Sequence, residues 1–188
     1  MTAAVKVVLL AGAAEPLGAE IARAVLAAGG KVAAVAPRAW QVDRLREQLP
    51  DADVLVGLVA DGDSQAAAGI VKGANDALGP ITDVIGASVE LRGPEAGSEP
   101  AGDLAALLER NLHANCTLVR AALPALRRRG SGRLVLPALP DDPDGLSATC
   151  RASLAAVEGY ALGLARDLAD AAIAVAQVPA DAPAERWL

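Results

Sequence analysis

Apolar residues come along this chain in two rhythms. Short, nearly unbroken apolar runs alternate with longer segments in which apolar positions recur every three or four residues. The runs are Val5–Leu10, Val32–Ala36, Val54–Val59, Ile81–Ala87, Leu134–Leu136 and Ile173–Val178. The periodic segments are Leu17–Ala28, closed by Gly29-Gly30, Trp40–Leu49, stopped by Pro50, and Ser64–Leu78, ending at Gly79-Pro80. Two longer ones follow, Asp103–Arg129, with a bend expected at Pro124, and Leu146–Asp170. Strands apolar on both faces and separated by helices predict a parallel sheet with crossover helices, hence an α/β domain. A Gly/Pro/Glu-rich connection, Leu91–Gly102, and a loop holding Pro137, Pro140 and Pro143 break the pattern without dividing it. The tail, Pro179–Leu188, reads as irregular, with Trp187 packing on the body. Residues 1–188 therefore form one domain.

Composition narrows the partners. Net charge is −6, which argues against nucleic acid or an anionic membrane as the main partner. Aromatic residues are 2% of the chain and Phe is absent, so the core is aliphatic and base-stacking platforms are missing. The densest basic run, Arg127-Arg128-Arg129 with Arg133 close behind, reads as a helix C-terminus complementing its dipole. Two cysteines, Cys116 and Cys150, make no disulfide framework. The first apolar run, Val7 to Ala14, is too short to span a membrane, and no basic region precedes it, so a cytoplasmic location is expected.

After the first strand comes AGAAEPLGAEIARAVLAAGGKVAAV, a turn of small residues between strand and helix. Such a turn brings backbone N–H groups to a pyrophosphate in Rossmann units. Four further stretches accompany it in order: GPITDVIGAS, RNLHANCTLVRAALPAL around Asn111, RRRGSGRLV, and CRASLAAVEG. Together they resemble the short-chain dehydrogenase/reductase family from the first strand to the sixth. The last stretch resembles that family's active-site helix, usually Tyr-x-Ala-Ser-Lys-Ala-Ala-Val-Glu-Gly. The resemblance implies a Rossmann-like, doubly wound sheet of about six strands in the order 3-2-1-4-5-6, short at the C-terminus relative to the family.

It also implies where the family's chemistry would lie. A Tyr gives or takes the carbonyl proton, and a Lys four residues on lowers its pKa and holds the nicotinamide ribose. A Ser orients the substrate oxygen. Here the Tyr position is Cys150 and the Lys position is Leu154. The Ser position falls in Pro137–Pro140, at Leu139, where no residue has a hydroxyl. Of the four catalytic positions only Asn111 keeps its family residue, and it is read as a structural remnant bonding backbone near the fourth strand. Cys150 is read as inert, and His113 as a surface or interface residue. Tyr160 lies ten residues past Cys150, nearly three helical turns, and cannot replace the lost Tyr.

The cofactor positions are damaged as well. The pattern Thr-Gly-x3-Gly-x-Gly reads Ala11, Gly12, Ala13, Ala14, Glu15, Pro16, Leu17, Gly18. Gly12 and Gly18 remain, but Pro16 has no N–H, and Glu15 brings a carboxylate toward the pyrophosphate site. Both are also ordinary first-turn helix residues. Past the second strand, Ala36-Pro37-Arg38 replaces the acidic residue that selects NAD, so any residual preference is for NADP through Arg38. Asp61 matches the family Asp near adenine. Ile85-Gly86-Ala87-Ser88 stands where Asn-Asn-Ala-Gly is usual, and Glu90 adds negative charge nearby.

The expectation is a non-catalytic relative with no cofactor, acting as an assembly partner, beside an active relative. The alternatives are an NADP-dependent oxidoreductase with an atypical site and a small-ligand binding protein using the old cleft. Family members usually dimerise through the segments kept best here, Asp103–Arg129 and Leu146–Asp170. Leu154, Val157, Ala161 and Leu164 form one apolar stripe, and Leu108, Leu112, Cys116, Val119 and Leu123 another. Leu107, Leu118 and Leu162 lie off these stripes, so a homodimer or heterodimer is expected. The family's other interface uses a C-terminal strand and helix that this chain lacks, so a tetramer is not.

Overall fold

The computed structural model describes residues 5–50, 52–60, 62–93 and 102–188. Six strands form one parallel sheet: β1 (Val7–Ala11), β2 (Lys31–Ala36), β3 (Val54–Leu58), β4 (Asp83–Gly86), β5 (Gly132–Ala138) and β6 (Ile173–Pro179). Their order is β3-β2-β1-β4-β5-β6, as the resemblance implies. The order reverses between β1 and β4, where Ala11 pairs with Gly86. In open α/β sheets ligands bind at that switch point, beyond the carboxyl ends of the strands.

Alternation within the strands feeds two cores. Val7, Leu9 and Ala11 face α3 (Ser64–Ala77), α5 (Ala114–Arg129) and α6 (Ala148–Asp167), with Val71, Leu118 and Val157 among the buried partners. Val8 and Leu10 face α1 (Pro16–Ala27) and α2 (Ala39–Gln48), packing with Ile21, Val25 and Leu45. The terminal segment joins this second core. A short 3-10 helix, Ala184–Trp187, lies against α1, and Trp187 is completely buried. The tail is thus more ordered than its composition suggested.

Helix boundaries shift from expectation by one to three residues, except in the long segment after Gly102. It is α-helical over Asp103–Leu107 (α4), π-helical over Leu108–His113, and α-helical again as α5. The irregularity therefore falls at Leu108–His113, while Pro124 sits inside the α5 run. The π turn brings Asn111 and Asn115 together toward the end of β4: the Asn115 amide donates to Asn111 O at 2.8 Å. At the segment's other end Gly130 takes a left-handed φ of 76° and closes α5 just after Arg127, Arg128 and Arg129, which stand in its last turn. Arg133 does not belong with them. It lies in β5 and pairs with the buried Asp83 at 2.7 Å.

Candidate functional site: a closed cofactor cleft

The β1–α1 turn is built by backbone packing. Gly12 has φ 71°, and a side chain there would run into the Ala87 carbonyl. A side chain at Gly18 would run into the Gly12 carbonyl. Both glycines are thus required by the approach of chain to chain, with no cofactor needed to explain them. Pro16 opens α1 at the position where its missing N–H costs nothing, and Glu15 is the N-cap without a side-chain cap bond.

The Glu15 carboxylate turns instead across the cleft. Arg110 Nη1 donates to its Oε1 at 2.9 Å, and the Val89 N–H also faces it. Burial pushes the carboxyl above the usual carboxylate range, and the Arg110 guanidinium works against that. Arg110 also approaches Glu90, at 3.6 Å. Glu90 accepts from Arg92 Nε at 2.7 Å, Arg92 pairs with the buried Asp103, and Asp103 accepts from Thr149 Oγ1 at 2.8 Å. A continuous relay of charge therefore runs from the phosphate turn, over the end of β4, to the start of α6.

Beside this relay the positions where the resemblance places the family's catalytic residues meet in a small apolar core. Cys150 and Leu154 are completely buried with Leu107 and Ala180, and Val89, Leu139 and Leu146 pack against them. Cys150 Sγ donates to the Glu90 carbonyl at 3.6 Å, and its backbone N–H is capped by Ser147 Oγ at 3.1 Å. The Leu139 N–H donates to Glu158 Oε1 at 2.8 Å. The arrangement brings Leu139, Cys150 and Leu154 together as packing.

Asn111 is completely buried and fully engaged. Its Oδ1 accepts the Glu90 N–H at 2.7 Å, and its amide donates to Glu90 O at 3.1 Å and Ser153 Oγ at 2.9 Å. Asn115 does the same for Ser88, donating to its carbonyl at 2.9 Å and accepting its N–H at 3.3 Å. The π-helical turn and this pair of asparagines hold the strand end that faces the cleft. Sequence reasoning singled out neither Asn115 nor Arg110. The only advance signal for Asn115 is its four-residue spacing from Asn111, which places both on one helix face.

The adenine end is equally narrow. A cavity of about 20 Å³ is lined by Gly12, Ala36, Pro37, Ala60, Ser88 and Thr117, among others. That volume holds about one water, whereas small-molecule sites usually run to roughly 300–1,000 Å³. Arg38 is exposed at the N-cap of α2 and makes no ion pair among the described residues. Asp61 lies outside the described residues. Tyr160 sits between α5 and α6 against the Cys116 thiol, which burial pushes up to about 11. Burial raises the Tyr160 phenol too, and ten residues of helix set it ~15 Å along α6 from Cys150. His113 pairs on the surface with Glu109 at 3.0 Å. Among the described residues no group of three His, Cys, Asp or Glu side chains could hold a metal ion. No helix among them is long and apolar enough to cross a membrane.

These residues do not fit a dinucleotide held in a Rossmann cleft. The phosphate turn carries an inward carboxylate and a proline, the ribose-binding position is a buried leucine, and the adenine cavity is water-sized.

Comparison with known proteins gives the lineage. Residues 6–181 match the family model described as short chain dehydrogenase. Two uncharacterized oxidoreductases from two strains of Mycobacterium tuberculosis are each 31% identical over 133 residues, covering 69% of this chain and 53% of their own length. The chain thus spans about half the length of the curated relatives it matches. A solved short-chain dehydrogenase from Streptomyces avermitilis superimposes with a TM-score of 0.76 at 26% identity, covering 93% of this chain and 65% of that one. Sheet order and a match over nearly the whole chain agree, and the protein belongs to the short-chain dehydrogenase family.

Proposed function

We propose that this chain is a non-catalytic member of its family that acts as an assembly partner, with itself or with an active relative. The carrying observation is the apolar core at Leu139, Cys150 and Leu154, where the family keeps its proton-transfer groups. General acid–base catalysis contributes about 10²–10⁴-fold, and its members act as a unit, so losing all three together leaves little to rebuild on.

The helices after the cleft support the assembly half of the reading. The α6 stripe Leu154, Val157, Ala161 and Leu164 is buried in the chain's own core, as are Leu107 and Leu118, so none of these is available to a partner. What remains outward is a different face. Leu162 is 66% exposed beside the exposed, small Ala155, Gly159 and Gly163, and Leu104 is 40% exposed on α4. Leu108, Leu112 and Cys116 are half-buried. Small residues allow close helix approach, and an exposed leucine among them offers an anchor.

The test is light scattering coupled to gel filtration, alone and with an affinity-captured relative. A dimer is expected, and Leu162→Glu should dissociate it while leaving the helical content unchanged. A stable monomer at tens of micromolar, with no relative bound, removes the assembly claim.

One observation favours a second reading, an NADP-dependent oxidoreductase. Arg38 stands exposed past β2, where a 2′-phosphate would meet it. The water-sized cavity beside Pro37 weighs against it.

A further inference from the structure

We propose that the cofactor cleft is latched shut from within, the Glu15 carboxylate standing in for the dinucleotide phosphate and the Arg110–Glu90–Arg92–Asp103 relay holding it there. The proposal rests on the reading that the cleft no longer works on a dinucleotide, and it adds the physical agent that excludes one.

Five charged side chains from four segments meet in this relay: Glu15 at the head of α1, Glu90 and Arg92 after β4, Asp103 opening α4, and Arg110 in the π-helical turn. Glu15 and Arg110 are 95 residues apart, so their 2.9 Å contact closes the cleft from one wall to the other. Glu15 is only 22% exposed, and Asp103 5%, although both are carboxylates. The Val89 N–H and the Arg110 guanidinium that face Glu15 are the kinds of donor an anionic phosphate would take. Glu15 both satisfies those donors and sets a negative charge where a second anion would have to come.

The latch is a gate before it is a stabiliser. Burial of Glu15 outweighs the help from Arg110, since the carboxyl is held above its usual range. Removing the Glu15 charge should therefore leave stability unchanged or improve it. Removing Arg110 is different, because it leaves the largely buried Glu15 carboxylate without its cation, whereas Glu90 keeps Arg92. A structural ion pair would make both substitutions destabilising.

Two variants of the whole chain test this, with inorganic pyrophosphate as the probe in calorimetry and thermal unfolding as the second readout. Glu15→Gln removes the negative charge that competes with an incoming anion for the Val89 and Arg110 donors. It is expected to bind pyrophosphate at least tenfold more tightly than the parent, with an unfolding temperature equal to or above the parent's. Arg110→Met keeps the carboxylate and loses the cation. It is expected to gain no pyrophosphate binding and to unfold several degrees lower. Pyrophosphate binding by the parent equal to that of Glu15→Gln overturns the latch. So does a Glu15→Gln variant that folds but gains no binding, or one that unfolds as early as Arg110→Met. A monomer without a partner would remove the assembly reading and leave these outcomes unaffected.

Discussion

Restoring the family residues together, Cys150→Tyr with Leu154→Lys, is expected to produce no carbonyl reduction and a markedly less stable protein. Leu154 is completely buried and packs with the apolar Leu107, Cys150 and Ala180. A lysine there either loses its proton or carries a charge into an apolar cluster, which costs about 3–5 kcal/mol. Glu158, one helical turn on, already accepts from the Leu139 N–H. Tyr at position 150 overfills the same core, worth about 1–3 kcal/mol more. Against a total stability of roughly 5–15 kcal/mol, the double variant falls close to unfolding. No serine is supplied at Leu139, and the phosphate turn keeps Glu15 and Pro16. Urea denaturation and NADPH oxidation over a panel of ketones check both halves. A double variant as stable as the parent that oxidises NADPH would mean that an open pocket survives where the apolar core is described.

Trp187→Ala is expected to cost about 3–5 kcal/mol, the usual range for emptying a large buried aromatic site. Trp187 is completely buried in the α1 core with Ala182 and Ala184, and its Nε1 donates to Ala182 O at 3.4 Å. Its carbonyl accepts from Arg133 Nη2 at 3.2 Å, and Arg133 in turn neutralises the buried Asp83. Loosening the tail therefore disturbs an ion pair at the start of β4 and β5 as well as leaving a cavity. The urea midpoint should fall with little change in slope. A loss below about 1 kcal/mol, the level of an ordinary surface-like change, would show that the tail adheres without supporting the core.

The sequence made the sheet legible because its strands are apolar on both faces and its helices are not. The strand order came with the family resemblance, since periodicity alone does not say that β4 pairs with β1. The substituted family positions were legible one by one at Leu139, Cys150 and Leu154, but their meeting in one apolar core was not. That depends on Leu107 and Ala180, which enter from distant segments. Charged residues were read least well. Arg133 looked like part of a helix-end cluster and is the partner of Asp83. Glu15 looked like a first-turn residue and reaches Arg110. Such pairs join residues far apart in the chain, and no local spacing signals them. Leu107 and Leu118 counted toward an interface because they lie off the apolar stripes; the π-helical segment, which resets the helical phase by one residue, was equally invisible.

The central claim is that this family member has a cleft that no longer takes a nicotinamide dinucleotide. Calorimetric titration of the intact protein with NADPH, and then NADH, tests it most directly. The account predicts no binding tighter than about millimolar, roughly −4 kcal/mol, for either. A micromolar dissociation constant, near −8 kcal/mol, would contradict it.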